Sequence, residues 1–223
     1  MKTMIGRSAL LDLLRGLLSL PTAPFHERFV SAFLQAELEK SRIDYRLDRF
    51  GNIIAEYGNK NSPVAWVAHM DHPGFEIAQA SKDKAVADWF GGVAAKYFVG
   101  SRVVIYDQSS GAVRSRGVVK GITRTAQGRV EKMRLRIRGS AVPGDFGAWD
   151  LVPFRRRGDF IDTKGADDLV GCALMLCALR ELKKLRLKQR VRACFTRAEE
   201  QGFLGTLGMI RGRVLSPTTK VIS

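Results

Sequence analysis

Along residues 5–20 the apolar positions recur at helical spacing, and Leu10, Leu13, Leu14, Leu17 and Leu18 share one face. This predicts an amphipathic helix that Pro21-Thr22-Ala23-Pro24 ends. A second helix is predicted to about Lys40, with Thr22 or Ala23 near its cap. From Ile43 to Tyr57 the pattern alternates around Phe50-Gly51-Asn52, which predicts a β-hairpin with Gly-Asn in the turn. Val64-Ala65-Trp66-Val67-Ala68 is a short apolar run of the kind that forms a buried strand. It leads directly into His69-Met70-Asp71-His72.

The texture changes between Phe75 and Arg157. Short alternating runs such as Arg102-Val103-Val104-Ile105-Tyr106 and Met133-Arg134-Leu135-Arg136-Ile137 are separated by Gly91-Gly92, Ser109-Ser110-Gly111, Gly139-Ser140 and Pro143-Gly144. No ten-residue helical pattern interrupts them, so a small all-β module, barrel-like, is predicted. After Gly165 the helical pattern returns from Val170 to Leu187, a strand follows at Val191 to Thr196, and Lys220-Val221-Ile222-Ser223 begins another. The chain of 223 residues therefore reads as an α/β layer made of residues 1–74 and 158–223, with a β-barrel-like domain inserted at 75–157.

Composition narrows the class without changing this outline. With 45% apolar and 26% charged residues the chain can bury a core, which excludes disordered and collagenous classes. The apolar run at Leu10–Leu18 is broken by Asp12 and Arg15, so neither a membrane span nor a signal peptide is expected. Cys172, Cys177 and Cys194 are few and odd in number, which fits reduced thiols in the cytoplasm. Thirty-seven Lys and Arg against 22 Asp and Glu give a net charge of +15. The cationic runs at Arg155-Arg156-Arg157 and Lys183 to Arg192 lack interleaved aromatics, so at most non-specific, salt-sensitive polyanion binding is expected.

Three short stretches carry candidate chemistry. Ala68-His69-Met70-Asp71 places a carboxylate two residues after a histidine, on one face if the strand continues, where it can orient the ring. Asp167-Asp168 precedes an apolar helix, where acids cap and complement the dipole but one could also bridge two metal ions. Glu199-Glu200 follows a strand, at the end of a sheet where α/β folds place their sites. Singly each pattern is common in structural roles.

Jointly, and in this order, the three stretches resemble the glutamyl aminopeptidase and tetrahedral aminopeptidase family of co-catalytic zinc peptidases. Asp48-Arg49-Phe50-Gly51-Asn52-Ile53-Ile54, Gly74-Phe75, Gly144-Asp145, Asp167-Asp168-Leu169-Val170-Gly171 and Glu199-Glu200-Gln201-Gly202 match the family's pieces along most of the chain. The resemblance implies two divalent ions, zinc or cobalt. His69 would be a ligand of one, with Asp71 orienting it, and Asp167 would bridge both. Asp168 would follow through a cis peptide bond, Glu199 would be the general base and Glu200 a ligand of the second ion. It also implies peptide substrates, a barrel-like domain between His69 and Asp167, and a homo-oligomer when the chain is complete.

The resemblance has gaps. Two family ligands, a carboxylate near Val221-Ile222-Ser223 and a histidine further on, have no counterpart, which implies weak or partial metal occupancy and an exposed sheet edge. A truncated chain is the reading this favours. Of the other histidines, His26 is expected on the surface of a helix, and His72 on the opposite side of the strand from His69. His72-Pro73 and Leu169 replace an acid-aliphatic pair and an arginine in relatives. The alternatives are a related amidohydrolase such as a deacylase, against which the all-β insertion argues, and a non-catalytic remnant that binds partners.

Overall fold

The leucine stripe forms helix α1 (Arg7–Ser19), which buries Leu13, Leu14, Leu17 and Leu18. The computed structural model describes residues 6–58 and 62–223, so Ile5, at the start of the predicted helix, lies outside the described residues. Helix α2 (Arg28–Lys40) begins later than predicted, and neither Thr22 nor Ala23 caps it. The reason is tertiary: residues 21–24, His26 and Glu27 are buried, with Thr22 donating to the Met70 carbonyl at 2.9 Å and Glu27 fully enclosed.

Strands β1 (Tyr45–Leu47) and β2 (Ile53–Tyr57) pair antiparallel as the predicted hairpin. Its turn is held by Asp48, whose carboxylate accepts the amides of Phe50 and Asn52 at 2.8 and 3.0 Å. Strand β3 (Val64–His69) follows. Six strands then close into an antiparallel barrel: β4 (Gly74–Ser81), β5 (Lys84–Phe90), β6 (Arg102–Tyr106), β7 (Val113–Arg124), β8 (Val130–Gly139) and β9 (Phe146–Trp149), in the order β4-β5-β8-β7-β6-β9. Closure leaves no unpaired edge. Alternate residues such as Phe75, Ile77, Val119, Met133, Leu135 and Ile137 point inward and fill it. Trp89 packs against Phe98 and Trp149 there, with ring centroids 4.7 and 4.6 Å away.

A small hairpin of β10 (Arg155–Arg157) and β11 (Phe160–Asp162) holds the triple-arginine run, where Arg155 and Arg157 both pair with Asp162. Helix α3 (Ala166–Lys184), strand β12 (Val191–Thr196), helix α4 (Leu204–Arg211) and strand β13 (Lys220–Ile222) complete the order. The main sheet runs β1-β2-β12-β3-β13, with β12 and β13 parallel to β3 on either side of it. Strand alternation divides its two faces. Ile53, Ala55, Ala68, Ala193 and Phe195 pack beneath α1, α2 and α3, whereas Ile54 and Cys194 meet Met209 of α4 on the other side. Strand β13 is an edge of the described sheet, with Val221 and Ile222 more than half exposed. No described helix is long and apolar enough to cross a membrane.

The α1 face is anchored by Leu17, fully buried in the main cluster. Leu17→Ala is expected to lower unfolding free energy by about 2–5 kcal/mol in a urea titration.

Candidate active site at the ends of two parallel strands

Strands β3 and β12 end side by side, with His69 opposite Thr196. Sites in α/β sheets form beyond such carboxyl ends. The His69 ring is buried, and its Nδ1 donates to the Asp71 carbonyl oxygen at 2.9 Å, since a carbonyl can only accept. This turns Nε2 toward Asp167 Oδ1 at 3.0 Å and Glu199 Oε2 at 3.8 Å. Burial opposes a charge on this imidazole, but Asp71, Asp167 and Glu199 outweigh it and carry the His69 pKa up to about 9.

Asp71 works differently from the pattern reading. Strand β3 ends at His69, so alternation does not extend to position 71. The Asp71 carboxylate lies 3.6 Å from the ring and mainly accepts two backbone amides, those of Glu199 at 3.1 Å and Glu200 at 3.2 Å. It is fully buried, and these contacts tie the end of β3 to the turn after β12.

At the start of α3 the backbone of Asp167 and Asp168 departs from helical angles, and the peptide bond between them is cis, as the resemblance implies. The Asp167 side chain is 90% exposed with one oxygen at His69. Asp168 turns back to accept the Gly171 amide at 3.1 Å, the capping role open to an acid here. Burial raises the Asp168 pKa.

The turn that presents Glu199 and Glu200 is fixed by residues far away in sequence. Glu27 pairs with the Arg197 guanidinium at 2.7 Å and accepts the Ala198 amide at 2.9 Å. Asn52 accepts the Arg197 amide at 3.0 Å and donates to the Gly205 carbonyl at 3.0 Å. A Cβ on Gly205 would lie 2.4 Å from the Arg197 carbonyl oxygen, so only glycine lets the turn close. The barrel contributes a wall: Gly91, at φ +124°, packs so tightly that a Cβ would sit 2.9 Å from Pro73 and 3.3 Å from Glu200 Oε2. In the sequence nothing marks Glu27 beyond its polar character beside an apolar helix. Asn52 lies within a stretch that carried the family resemblance.

The two remaining histidines lie apart from this cluster. His26 is buried rather than on the surface, in the connection before α2; it stacks on Phe146 at 4.5 Å and bonds Glu76 at 2.8 Å. A buried polar ring between α-layer and barrel has more contacts than a helix surface could offer it. His72 lies beyond the strand and is buried, with Nδ1 at the Pro73 carbonyl (3.0 Å). Burial and nearby Lys164 press its pKa down to about 4, so it stays neutral.

Carboxylate oxygens of Asp71, Asp167 and Glu199 therefore lie 3.6, 3.0 and 3.8 Å from the His69 imidazole, with Asp168 and Glu200 next to them in the chain. Burial raises the pKa of Glu199 and of Glu200, and the neighbouring carboxylates add to it. An excess of carboxylate beside a histidine favours a bound cation, and imidazole nitrogen with carboxylate oxygen suits zinc-like ions. The donors fit in kind but fall short in number: among the described residues no three such side chains stand close enough to hold an ion. Asp71→Ala strips both amides of their buried acceptor. It is expected to cost about 1–3 kcal/mol in denaturant unfolding and to speed hydrogen exchange at Glu199 and Glu200, with barrel amides unchanged.

Residues 51–211 match the family model described as M42 glutamyl aminopeptidase. An aminopeptidase from the archaeon Desulfurococcus kamchatkensis superposes with a TM-score of 0.74 at 24% identity, over 92% of this chain and 60% of that one. The TET1 peptidase of Pyrococcus horikoshii, which can assemble into a tetrahedron or a large octahedral shell, gives 0.73 at 22% identity over 90% and 64%. A TET aminopeptidase from a marine-sediment Thaumarchaeota archaeon gives 0.74 at 19% identity over 88% and 61%. The chain thus spans less than two thirds of the length of these structures, whose likeness establishes its fold, an α/β layer carrying a closed barrel. By the family model, which covers most of its length, the chain belongs to the M42 glutamyl aminopeptidase family.

Proposed function

We propose that this protein is a metal-dependent aminopeptidase that removes N-terminal residues from peptides. The observation that carries this reading is the convergence of His69, Asp167 and Glu199 at the paired ends of β3 and β12, with the adjoining Glu199-Glu200 amides held on the Asp71 carboxylate. His69 with Asp167 would hold one divalent ion, and Asp167 with Glu200 a second, zinc or cobalt by donor type. Such ions, when bound, acidify water and polarise a scissile carbonyl.

The chain's own residues do the rest. Glu199, whose carboxyl is held above its usual pKa by burial, takes a proton from the attacking water and returns it to the leaving amine. Asp71 is the positioning residue: its carbonyl sets the His69 ring and its carboxylate sets the turn. Glu27 and Asn52 support that turn from behind. Assembly into a homo-oligomer belongs to the same reading, supported by the assemblies of the TET1 peptidase. The three free, buried cysteines support a reducing compartment, the cytoplasm.

The absence of a three-donor group among the described residues favours a second reading, a non-catalytic remnant. The two separate in one experiment, hydrolysis of an aminoacyl-p-nitroanilide with added Zn²⁺ or Co²⁺ alongside calorimetric metal titration. The aminopeptidase reading expects metal binding, weak because the donor set is short, with metal-dependent turnover, and the remnant reading expects neither. Glu199→Gln is expected to lower kcat by about 10²–10⁴-fold while metal binding persists. Undiminished turnover in that variant would remove Glu199 from its assigned role. His69→Ala is expected to weaken metal binding itself, visible in the titration without any substrate.

A further inference from the structure

The outer face of the barrel is charged in a way the peptidase reading does not use. Strands β6, β7 and β8 point Arg102, Arg116, Lys120, Arg134, Arg136 and Arg138 outward, all of them exposed. Side chains on one face of a strand stand ~6.8 Å apart, so these cations form a continuous lattice. Two like-charge pairs face each other directly across strands: Arg116 opposite Arg138, and Lys84 of β5 opposite Arg136. Such pairs oppose folding, so this face is not arranged for stability.

Little on the face neutralises it. Asp150 reaches Arg116 at 3.4 Å and Asp83 reaches Arg136 at 3.5 Å. Among the described residues, Lys84, Arg102, Lys120, Arg134 and Arg138 have no carboxylate within 4.0 Å. Two hollows, of about 640 and 720 Å³, lie in the patch and share Asp83, Lys120 and Arg136 in their linings. By contrast, Arg155 and Arg157 on the β10–β11 hairpin are paired with Asp162.

We propose that this barrel face binds the phosphate backbone of a nucleic-acid duplex, without reading its sequence. Arginine predominates, and its planar fork suits phosphate better than the lysine ammonium does. The outward positions of β7 and β8 carry no aromatic side chain, so bases of a single strand have nothing to stack on. The same positions offer no Leu, Phe or Trp for insertion into a lipid interface. A second copy of this chain is a poor occupant, because a two-fold contact through the patch would set cation against cation. The surface lies at the Lys84 end of β5, whereas Gly91 beyond the other end of that strand packs against Glu200, and the inference is independent of hydrolytic activity.

The test is fluorescence anisotropy of the protein with a labelled, mixed-sequence DNA duplex of about 20 base pairs, across a salt series. Binding at low salt is expected, with log K falling linearly in log salt. The triple reversal Arg134→Glu, Arg136→Glu, Arg138→Glu is expected to lower affinity at least tenfold and to flatten the slope by about 2–3. A control with the same charge change elsewhere, Lys183→Glu, Lys184→Glu, Lys188→Glu, is expected to stay within twofold of the parent. If the triple reversal fails to fold, Arg134→Gln with Arg138→Gln replaces it and is expected to lose affinity in the same direction. An equal loss in the control would assign binding to net charge and overturn the proposal. So would no duplex binding at low salt, or binding to phosphatidylserine vesicles without binding to the duplex.

Discussion

The buried carboxylate of Asp71 is the contact on which the site depends. It receives the amides of Glu199 and Glu200, while the backbone carbonyl of the same residue accepts from Nδ1 and fixes the direction of the His69 ring. A carboxylate with no exposed surface is costly unless its acceptors are filled, and these amides fill them. The cost and the compensation together force the end of β3 and the turn after β12 into one arrangement. His69, Glu199 and Glu200 of the proposed mechanism project from those two chain ends, and Asp167 reaches them from the start of α3.

The rest of the fold serves to hold that junction. The parallel pairing of β3 with β12 brings His69 level with Thr196, and the helices beneath bury the alternate residues that keep the strands in register. Glu27 and Asn52 brace the turn from the α-layer side, and Gly91 closes against Glu200 from the barrel. The barrel is thus inserted where the chain leaves β3, so that the turn at Gly91 walls the site.

Charge is divided between the two regions in opposite senses. The site crowds carboxylates about a single imidazole, and burial pushes several of them toward protonation. The barrel exterior crowds guanidinium groups and opposes two like-charge pairs across its strands. Each excess is locally unfavourable for the folded chain alone, and each is relieved by a partner of opposite sign. The same electrostatic argument supports both proposals, a cation at the strand ends and a polyanion on the barrel.

The periodicity of the chain by itself determined α1, the hairpin, β3, β12 and the β texture of the insertion, because side-chain alternation and helical spacing are local properties. The family resemblance, not the periodicity, grouped His69, Asp167, Glu199 and Glu200 as a set. Periodicity could not place the start of α2, the burial of His26, the role of Glu27 or the amides that Asp71 receives. Those depend on partners 48 to 171 residues away, Met70 for Thr22, Glu76 for His26 and Ala198 for Glu27 among them. A polar residue's partner is chosen by what the folded chain brings beside it, and only the tertiary structure decides that, since burial leaves the group no water to bond instead.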